Sequence, residues 1–309
     1  MITATTYLAS LFQLGRVLFL TGGFLLYGLG TLVALASGAP LDATALFWGQ
    51  VAVTAIQLMT HYSNEYYDLP ADQVNPTPTR WAGGSQVLVA GRVSPAVALG
   101  IALLSCGVGL AAGLTLTFIL HEGLLTLGLI VLAAVLAFGY SAPPLRLHSR
   151  GLGELTVALI VTVLTPLLGY SLQVERLPLR PLLAVVPLFL LQFAMMLILE
   201  IPDQAGDTAV GKRTLVVQLG PAGAVRLHNL LLCAAYLSLP VLIWAGLPPV
   251  AAGAVLLSAP VALWQGARLA RGAWRAGDRW DNLSFWAIGL LVGTAAAELL
   301  AFLWILQSQ

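Results

Sequence analysis

Apolar residues in this chain gather into long runs separated by short polar breaks. Nine runs reach the about 20 residues that a helix needs to cross a bilayer. They lie near 16–36, 45–68, 93–118, 124–142, 153–173, 181–201, 223–246, 249–270 and 284–306. The pattern predicts an all-α, polytopic integral membrane protein. Its nine transmembrane helices form one domain over residues 1–309, bundled around a central cavity open to the cytoplasm and sideways to lipid. The breaks alternate in character. Those after the first, third, fifth and seventh runs are short and mostly apolar, and those after the second, fourth, sixth and eighth are longer and polar.

Composition agrees with the pattern. Of 309 residues 59% are hydrophobic and 9% charged, against about 25% charged in soluble domains, and the mean hydropathy is +0.91. A net charge of +1 offers no electrostatic case for a nucleic-acid partner. Cys106 and Cys233 both lie in apolar runs and read as packing residues. The first run is too long and too poorly flanked for a cleaved signal peptide.

Charge also sets the expected orientation. Arg16, Arg80, Arg92, Arg146, Arg150, Lys212, Arg213, Arg226, Arg268, Arg271, Arg275 and Arg279 fall on one side, and only Arg176 and Arg180 fall on the other. The positive-inside rule places the N-terminus and the polar loops in the cytoplasm. A prokaryotic plasma membrane is the expected location.

Two acidic stretches interrupt the apolar runs. The first is His61-Tyr-Ser-Asn-Glu-Tyr-Tyr-Asp-Leu-Pro-Ala-Asp72, and the second is Glu200-Ile-Pro-Asp-Gln-Ala-Gly-Asp207. Asn64, Asp68 and Asp72 are spaced four apart, as are Asp203 and Asp207, so each set shares one helical face. An ionised side chain at mid-membrane costs about 2.5–3.5 kcal/mol on insertion scales, and intramembrane acids are functional by default. Pro70 and Pro202 place both stretches where a helix ends or bends. Both stretches close on the same side, so one site can be built from the two. The two halves are offset by four helices. That offset hints at tandem four-helix units, about 16–142 and 153–270, plus a ninth helix at 284–306.

Carboxylates are hard ligands suited to Mg²⁺, which is held by one or two carboxylates plus substrate phosphate. Asp68 and Asp72 are candidates for one ion, and Asp203 and Asp207 for a second. Asn64 can add a neutral oxygen or a donor. Arg80, Gly83-Gly-Ser85, Lys212 and Arg213 follow the two stretches and suit a diphosphate. Lys212 and Arg213 serve the charge bias of the loops equally well. A third polar stretch runs from Tyr140-Ser-Ala-Pro-Pro144 through Arg146, His148 and Arg150 to Glu154. There Tyr140 can anchor at the interface or present its ring to a substrate cation. Arg146, His148 and Arg150 read as an interfacial basic loop, and His61 as an interior histidine one turn before Asn64. A different class of function, a divalent-cation or proton-coupled transporter, could use the same aspartates. Transporter sites lie near the midplane, whereas both acidic stretches lie at one end.

Three segments together resemble the UbiA superfamily of intramembrane prenyltransferases. They are Asn64-Glu-Tyr-Tyr-Asp-Leu-Pro-Ala-Asp72, Tyr140-Ser-Ala-Pro-Pro144, and Asp203-Gln-Ala-Gly-Asp207 with the following Gly-Lys-Arg-Thr-Leu-Val-Val-Gln-Leu-Gly220. The resemblance covers nearly the whole chain in order. It implies nine transmembrane helices and Mg²⁺-dependent transfer, with two ions expected, of a prenyl group from a polyprenyl diphosphate to an aromatic or other nucleophilic acceptor. Asn64, Arg80, Lys212 and Arg213 would then hold the diphosphate. Tyr67, Tyr140, Arg146, Glu200 and His61 are candidates to contact the substrate or steady its cation. Within the family, the Asn-x-Tyr-Tyr-Asp opening, Gly83-Gly-Ser85 and Gly-Lys-Arg-Thr-Leu look most similar to the 1,4-dihydroxy-2-naphthoate branch of menaquinone synthesis. Glu65 stands where aspartate is common, and Glu200-Ile-Pro replaces a more Asn- and Arg-rich approach to Asp203. These departures leave 4-hydroxybenzoate-like and chlorin acceptors open.

Overall fold

The computed structural model describes residues 4–174 and 179–308; Arg176, expected on the side opposite the other basic residues, lies outside them. All regular structure among the described residues is helical. A short helix α1 (Ala4–Leu14) precedes the first span. Nine helices among the described residues are long and apolar enough to cross a membrane. They are α2 (Val17–Leu35), α3 (Ala43–Val74), α4 (Pro95–Ile119), α5 (Gly123–Ser141), α6 (Gly153–Ser171), α7 (Leu182–Leu199), α9 (Leu215–Trp244), α10 (Pro249–Ala270) and α11 (Gly277–Gln307). Between α7 and α9 lies the short α8 (Gln204–Ala209).

Three boundaries differ clearly from the hydropathy pattern, one of them the start of α11, at Gly277 rather than near 284. Helix α3 does not stop at the first acidic stretch but runs through Pro70 to Val74. A proline forfeits one ladder hydrogen bond, and in the last two turns of a 32-residue helix that loss does not end it. Helix α9 begins at Leu215, where the Thr214 hydroxyl accepts from the Val217 amide at 3.3 Å. The start expected near 223 is instead the kink at Gly220 (φ 68°, ψ 162°) before Pro221. The second stretch behaves as expected: α7 ends at Leu199, and Pro202 lies in the turn that follows.

Helix α2 sits centrally, against α3, α6, α7 and α11. It approaches α6 so closely that a methyl on Gly30 would overlap the Pro166 carbonyl, and one on Gly169 the Tyr27 carbonyl. Small residues allow such backbone approach where helices pack in lipid. Thr31 Oγ1 crosses the same contact to the Gly169 carbonyl at 3.3 Å. In α6 the turn Ile160–Leu164 widens to a π-helix just before Pro166, which has no N–H to continue the regular ladder. Three buried apolar clusters result among the described residues, the smallest joining α1, α3, α4 and the loop before α4 through Leu14, Tyr62, Val87 and Ala98; the other two are larger. One joins α3, α4, α5 and α6, and the other joins α2, α7, α9, α10 and α11. Strict up-down alternation brings the starts of α2, α6, α9 and α11 to the same end as the finishes of α3, α5 and α7. Every acidic stretch singled out in the sequence lies at that end.

Candidate functional site

The two acidic stretches face each other across Lys212. Its Nζ lies 3.0 Å from Asp68 Oδ1 and 3.1 Å from Asp207 Oδ1. Burial pulls the ammonium pKa down, but the two carboxylates outweigh it and hold it above its ordinary value. Asp68 is further fixed by Asn64, whose Nδ2 donates to Asp68 Oδ2 at 2.6 Å and contacts Ser141 Oγ at 2.9 Å. The four-residue spacing on α3 is what lets Asn64 reach Asp68. Adjacent in sequence, Lys212 and Arg213 part company here. Lys212 points into the site, whereas Arg213 has an exposed side chain and donates its main-chain N–H to Ser149 O at 3.0 Å.

His148, expected in an interfacial loop, is buried between the stretches. Nδ1 lies 3.6 Å from Asp68 Oδ2, and Nε2 lies 3.6 Å from Glu200 Oε1. Burial alone would lower the imidazole pKa, but the Asp68 and Glu200 carboxylates facing it from both sides hold it well above 6.5. Tyr140 stacks on this ring, with centroids 4.8 Å apart and planes 9° from parallel, so one face of the tyrosine is already covered. Behind lies Glu154, fully buried, its Oε1 accepting from the Leu215 amide at 3.0 Å and its carboxyl meeting that of Glu200. The loop's arginines do keep to its surface: Arg146 and Arg150 are exposed.

The other two aspartates meet the loop between α3 and α4. Asp203 Oδ1 accepts from Asn75 Nδ2 at 2.8 Å, and the Gly83 N–H faces the carboxylate. Burial and then the Asp207 charge push the Asp203 pKa up to about 6. Gly84 packs on Asp72 so tightly that a Cβ there would overlap Asp72 Oδ2. The Arg16 guanidinium is near enough to feel both Asp72 and Asp203. Arg80, by contrast, is exposed and lays its guanidinium 5.2 Å over Trp81, and its main-chain N–H binds Asp281 Oδ1 at 2.9 Å. Tyr67 packs edge-on against Tyr66 and Phe138, and His61 sits 6.1 Å from the Phe19 ring.

Beneath the acids lies a small apolar cavity lined by residues including Gly23, Val53, Gln57, Ala133, Val161 and Leu168. Seven residues, or about 10.5 Å of helix, separate Asn64 from Gln57, Tyr140 from Ala133, and Glu154 from Val161 on three converging helices. Gly23 accommodates the Gln57 amide, whose Oε1 is buried with no hydrogen-bond partner.

Among the described residues no three acids or histidines converge into a ready-made metal cage. Mg²⁺ does not need one, since it keeps several waters and takes one or two carboxylates plus phosphate. Four aspartates at one end, with Asp207 Oδ2 buried and accepting no hydrogen bond, suit such an ion. Sequence reasoning missed Arg16, Glu154 and the buried setting of His148. Their only signal was charge in or beside apolar runs.

Comparison with known proteins agrees with this arrangement. The model of the UbiA prenyltransferase family matches residues 24–289, spanning both acidic stretches. The 1,4-dihydroxy-2-naphthoate octaprenyltransferase of Bacillus subtilis (strain 168) is 26% identical over 227 residues, covering 74% of this chain and 71% of that protein. The digeranylgeranylglyceryl phosphate synthase of Ignicoccus hospitalis is 32% identical over 228 residues, 69% of each chain. A solved structure of a UbiA homolog from Archaeoglobus fulgidus bound to DMAPP and Mg²⁺ has a TM-score of 0.64 at 16% identity, covering 97% of this chain and 100% of that one. The family match runs through all the helices that carry the acids, and the same fold recurs over nearly the full length of a solved homolog. This integral membrane protein therefore belongs to the UbiA prenyltransferase family.

Proposed function

We propose that the protein transfers a polyprenyl group from a prenyl diphosphate to an aromatic acceptor, and that the acceptor is 1,4-dihydroxy-2-naphthoate. The observation that carries this reading is the meeting of the two acidic stretches across Lys212, directly above an apolar cavity. The named activity of the Bacillus subtilis relative supports the acceptor.

Asp68, Asp72, Asp203 and Asp207 would hold Mg²⁺, as two ions. When bound, Mg²⁺ supplies positive charge to the diphosphate oxygens as the allylic C–O bond breaks. Lys212 adds its charge beside Asp68 and Asp207, where it can follow the leaving diphosphate as negative charge builds. Asn64, itself bonded to Ser141, holds Asp68 in place. Arg16, near Asp72 and Asp203, is a further cation for the diphosphate; Arg80 and Arg213, both exposed, would reach it only at the mouth. The bond that breaks leaves its electron pair on diphosphate. The acceptor's ring carbon then attacks the allylic cation, and the acceptor carboxyl departs as CO₂.

Tyr67 with Tyr66 and Phe138 offers aromatic faces to that cation, while the covered ring of Tyr140 offers chiefly its hydroxyl. Glu200, whose oxygens lie beside His148 and accept no hydrogen bond, would accept one from an acceptor hydroxyl. His61 and Phe19 exclude water on the membrane side. The prenyl tail continues past Gln57 into the apolar cavity. The basic-residue bias supports an acid end on the cytoplasmic side, and the location we propose is a prokaryotic plasma membrane.

The test is incubation of detergent-purified protein with labelled geranylgeranyl diphosphate, Mg²⁺ and an acceptor panel. The panel holds 1,4-dihydroxy-2-naphthoate, 4-hydroxybenzoate and a prenylglyceryl phosphate, the last suggested by the Ignicoccus relative. The expected result is prenylated, decarboxylated naphthoate that disappears with EDTA and returns with Mg²⁺. Turnover undiminished in EDTA removes the metal reading, and product only from another acceptor replaces the naphthoate assignment.

A further inference from the structure

The residue after Asn64 has no role in the proposed chemistry, yet it is among the most constrained side chains at that end. Glu65 is turned about 100° from Asn64 on α3 and lies two turns before Asp72, on nearly the same face; it is 2% exposed. A buried carboxylate is tolerated only when fully paired, and Glu65 is. Its Oε1 accepts from Arg16 Nη2 at 3.0 Å, Arg16 Nε at 3.2 Å and the Ser85 main-chain N–H at 2.8 Å. Its Oε2 accepts from Ser85 Oγ at 2.6 Å.

The partners of Glu65 touch the candidate metal carboxylates. Ser85 follows Gly83 and Gly84, both left-handed at φ +82° and +69°, a conformation glycine adopts freely. The Gly83 N–H faces the Asp203 carboxylate from the second acidic stretch closely enough to stabilise its charge. The Gly84 backbone packs on Asp72 from the first. This short loop therefore spans the two stretches, and its far end is held by Glu65 and by Gln13 Nε2, which donates to Ser85 O at 2.9 Å. Arg16 ties the same carboxylate to the start of α2, in a left-handed turn at φ 44°.

We infer that Glu65 is a positioning residue for the metal site. By clamping Arg16 and Ser85 it holds the Gly83–Gly84 backbone between Asp72 and Asp203 and so sets the spacing of the two acidic stretches. The inference rests on the metal reading proposed above. Loosening the clamp lets Asp72 and Asp203 drift relative to each other and weakens ion binding, while Asp68, Asp207 and Lys212, tied to one another by their ion pairs, keep their arrangement.

The test uses full-length protein in detergent, with Mn²⁺ as the ion and its free fraction read by electron paramagnetic resonance, beside a thermal melt. Glu65→Gln removes the charge and aims an amide donor at a donor. Its Mn²⁺ dissociation constant should rise about tenfold or more, the range seen when an outer partner of a metal ligand is lost. Ser85→Ala deletes only one bond and strands no buried charge, so it folds and should shift affinity the same way by a smaller factor. Glu65→Asp keeps the charge and should recover most of the affinity. If Glu65→Gln and Ser85→Ala lower the melting temperature yet bind Mn²⁺ within twofold of wild type, Glu65 is only a structural ion pair and the inference fails. If Glu65→Gln does not fold, the Ser85→Ala affinity decides alone. A wild-type protein that binds no Mn²⁺ overturns the metal reading itself, a distinct outcome.

Discussion

Replacing Lys212 by methionine is the most direct probe of how the two acidic stretches are held together. The substitution keeps the apolar stem and deletes the ammonium that lies 3.0 Å from Asp68 and 3.1 Å from Asp207. The three side chains are only 4–13% exposed, so solvent cannot replace the lost charge. Removing one partner of a buried pair costs about 3–5 kcal/mol. His148 still faces Asp68, which places the expected loss near the lower end, about 3 kcal/mol. By the size scaling of melting temperatures this is roughly 5 °C for a chain of 309 residues. A divalent cation should return part of it. An ion that binds only the folded state adds about 2.7 kcal/mol at one hundred times its dissociation constant, and in the variant it no longer competes with the ammonium. The assay is a thermal melt of purified wild type and Lys212→Met in EDTA and in saturating Mg²⁺. The Mg²⁺-dependent gain should be clearly larger in the variant, while the KM for prenyl diphosphate rises about tenfold or more, as expected for loss of a charge-assisted contact. An equal Mg²⁺ gain in both proteins would show that Lys212 and the ion do not share the Asp68–Asp207 site, and the reasoning would fall.

Three other outcomes are expected. Asp68→Asn and Asp203→Asn should insert normally yet lose about 10²–10³ in turnover; near-wild-type rates at saturating Mg²⁺ would exclude the paired-acid site. Asp203, raised to about 6, is mostly ionised at pH 7 and about nine-tenths protonated at pH 5. Ion affinity should therefore fall through that window and flatten in Asp203→Asn, as calorimetric titration with Mg²⁺ would register. In metal-free protein the sign reverses: a raised carboxyl pKa means the folded chain holds its proton more tightly than the unfolded one, so this group destabilises above about pH 6 and the cost is relieved as pH falls towards 3.8. Gln57→Ala should widen the passage to the apolar cavity and raise kcat/KM for a twenty-carbon over a ten-carbon diphosphate by about tenfold, since small pocket changes carry such ratios; an unchanged ratio places the tail elsewhere.

The spans were legible because crossing a bilayer depends on composition over about 20 residues, a property of local sequence. All nine runs correspond to helices, and the acidic stretches stood out because charge is costly among apolar neighbours. Where local rules competed, boundaries moved. Pro70 does not end α3, and the helix expected to start near 223 begins at Leu215 and kinks at Gly220–Pro221.

Which charges face one another was decided only in three dimensions. Lys212 and Arg213 are neighbours of the same sign, yet one bridges Asp68 and Asp207 while the other is exposed. His148 reads like its arginine neighbours until folding buries it between Asp68 and Glu200. Glu65 and Asp68 share a helix and a charge, but the turn of α3 sends one to Arg16 and Ser85 and the other to Lys212. Local sequence determined which segments enter the membrane and where charge would be expensive. Helix rotation, and contacts between residues 20 to 144 positions apart such as Glu65–Ser85 and Asp68–Lys212, decided how each charge is compensated, because pairing depends on side-chain direction and distance, which single-residue chemistry does not carry.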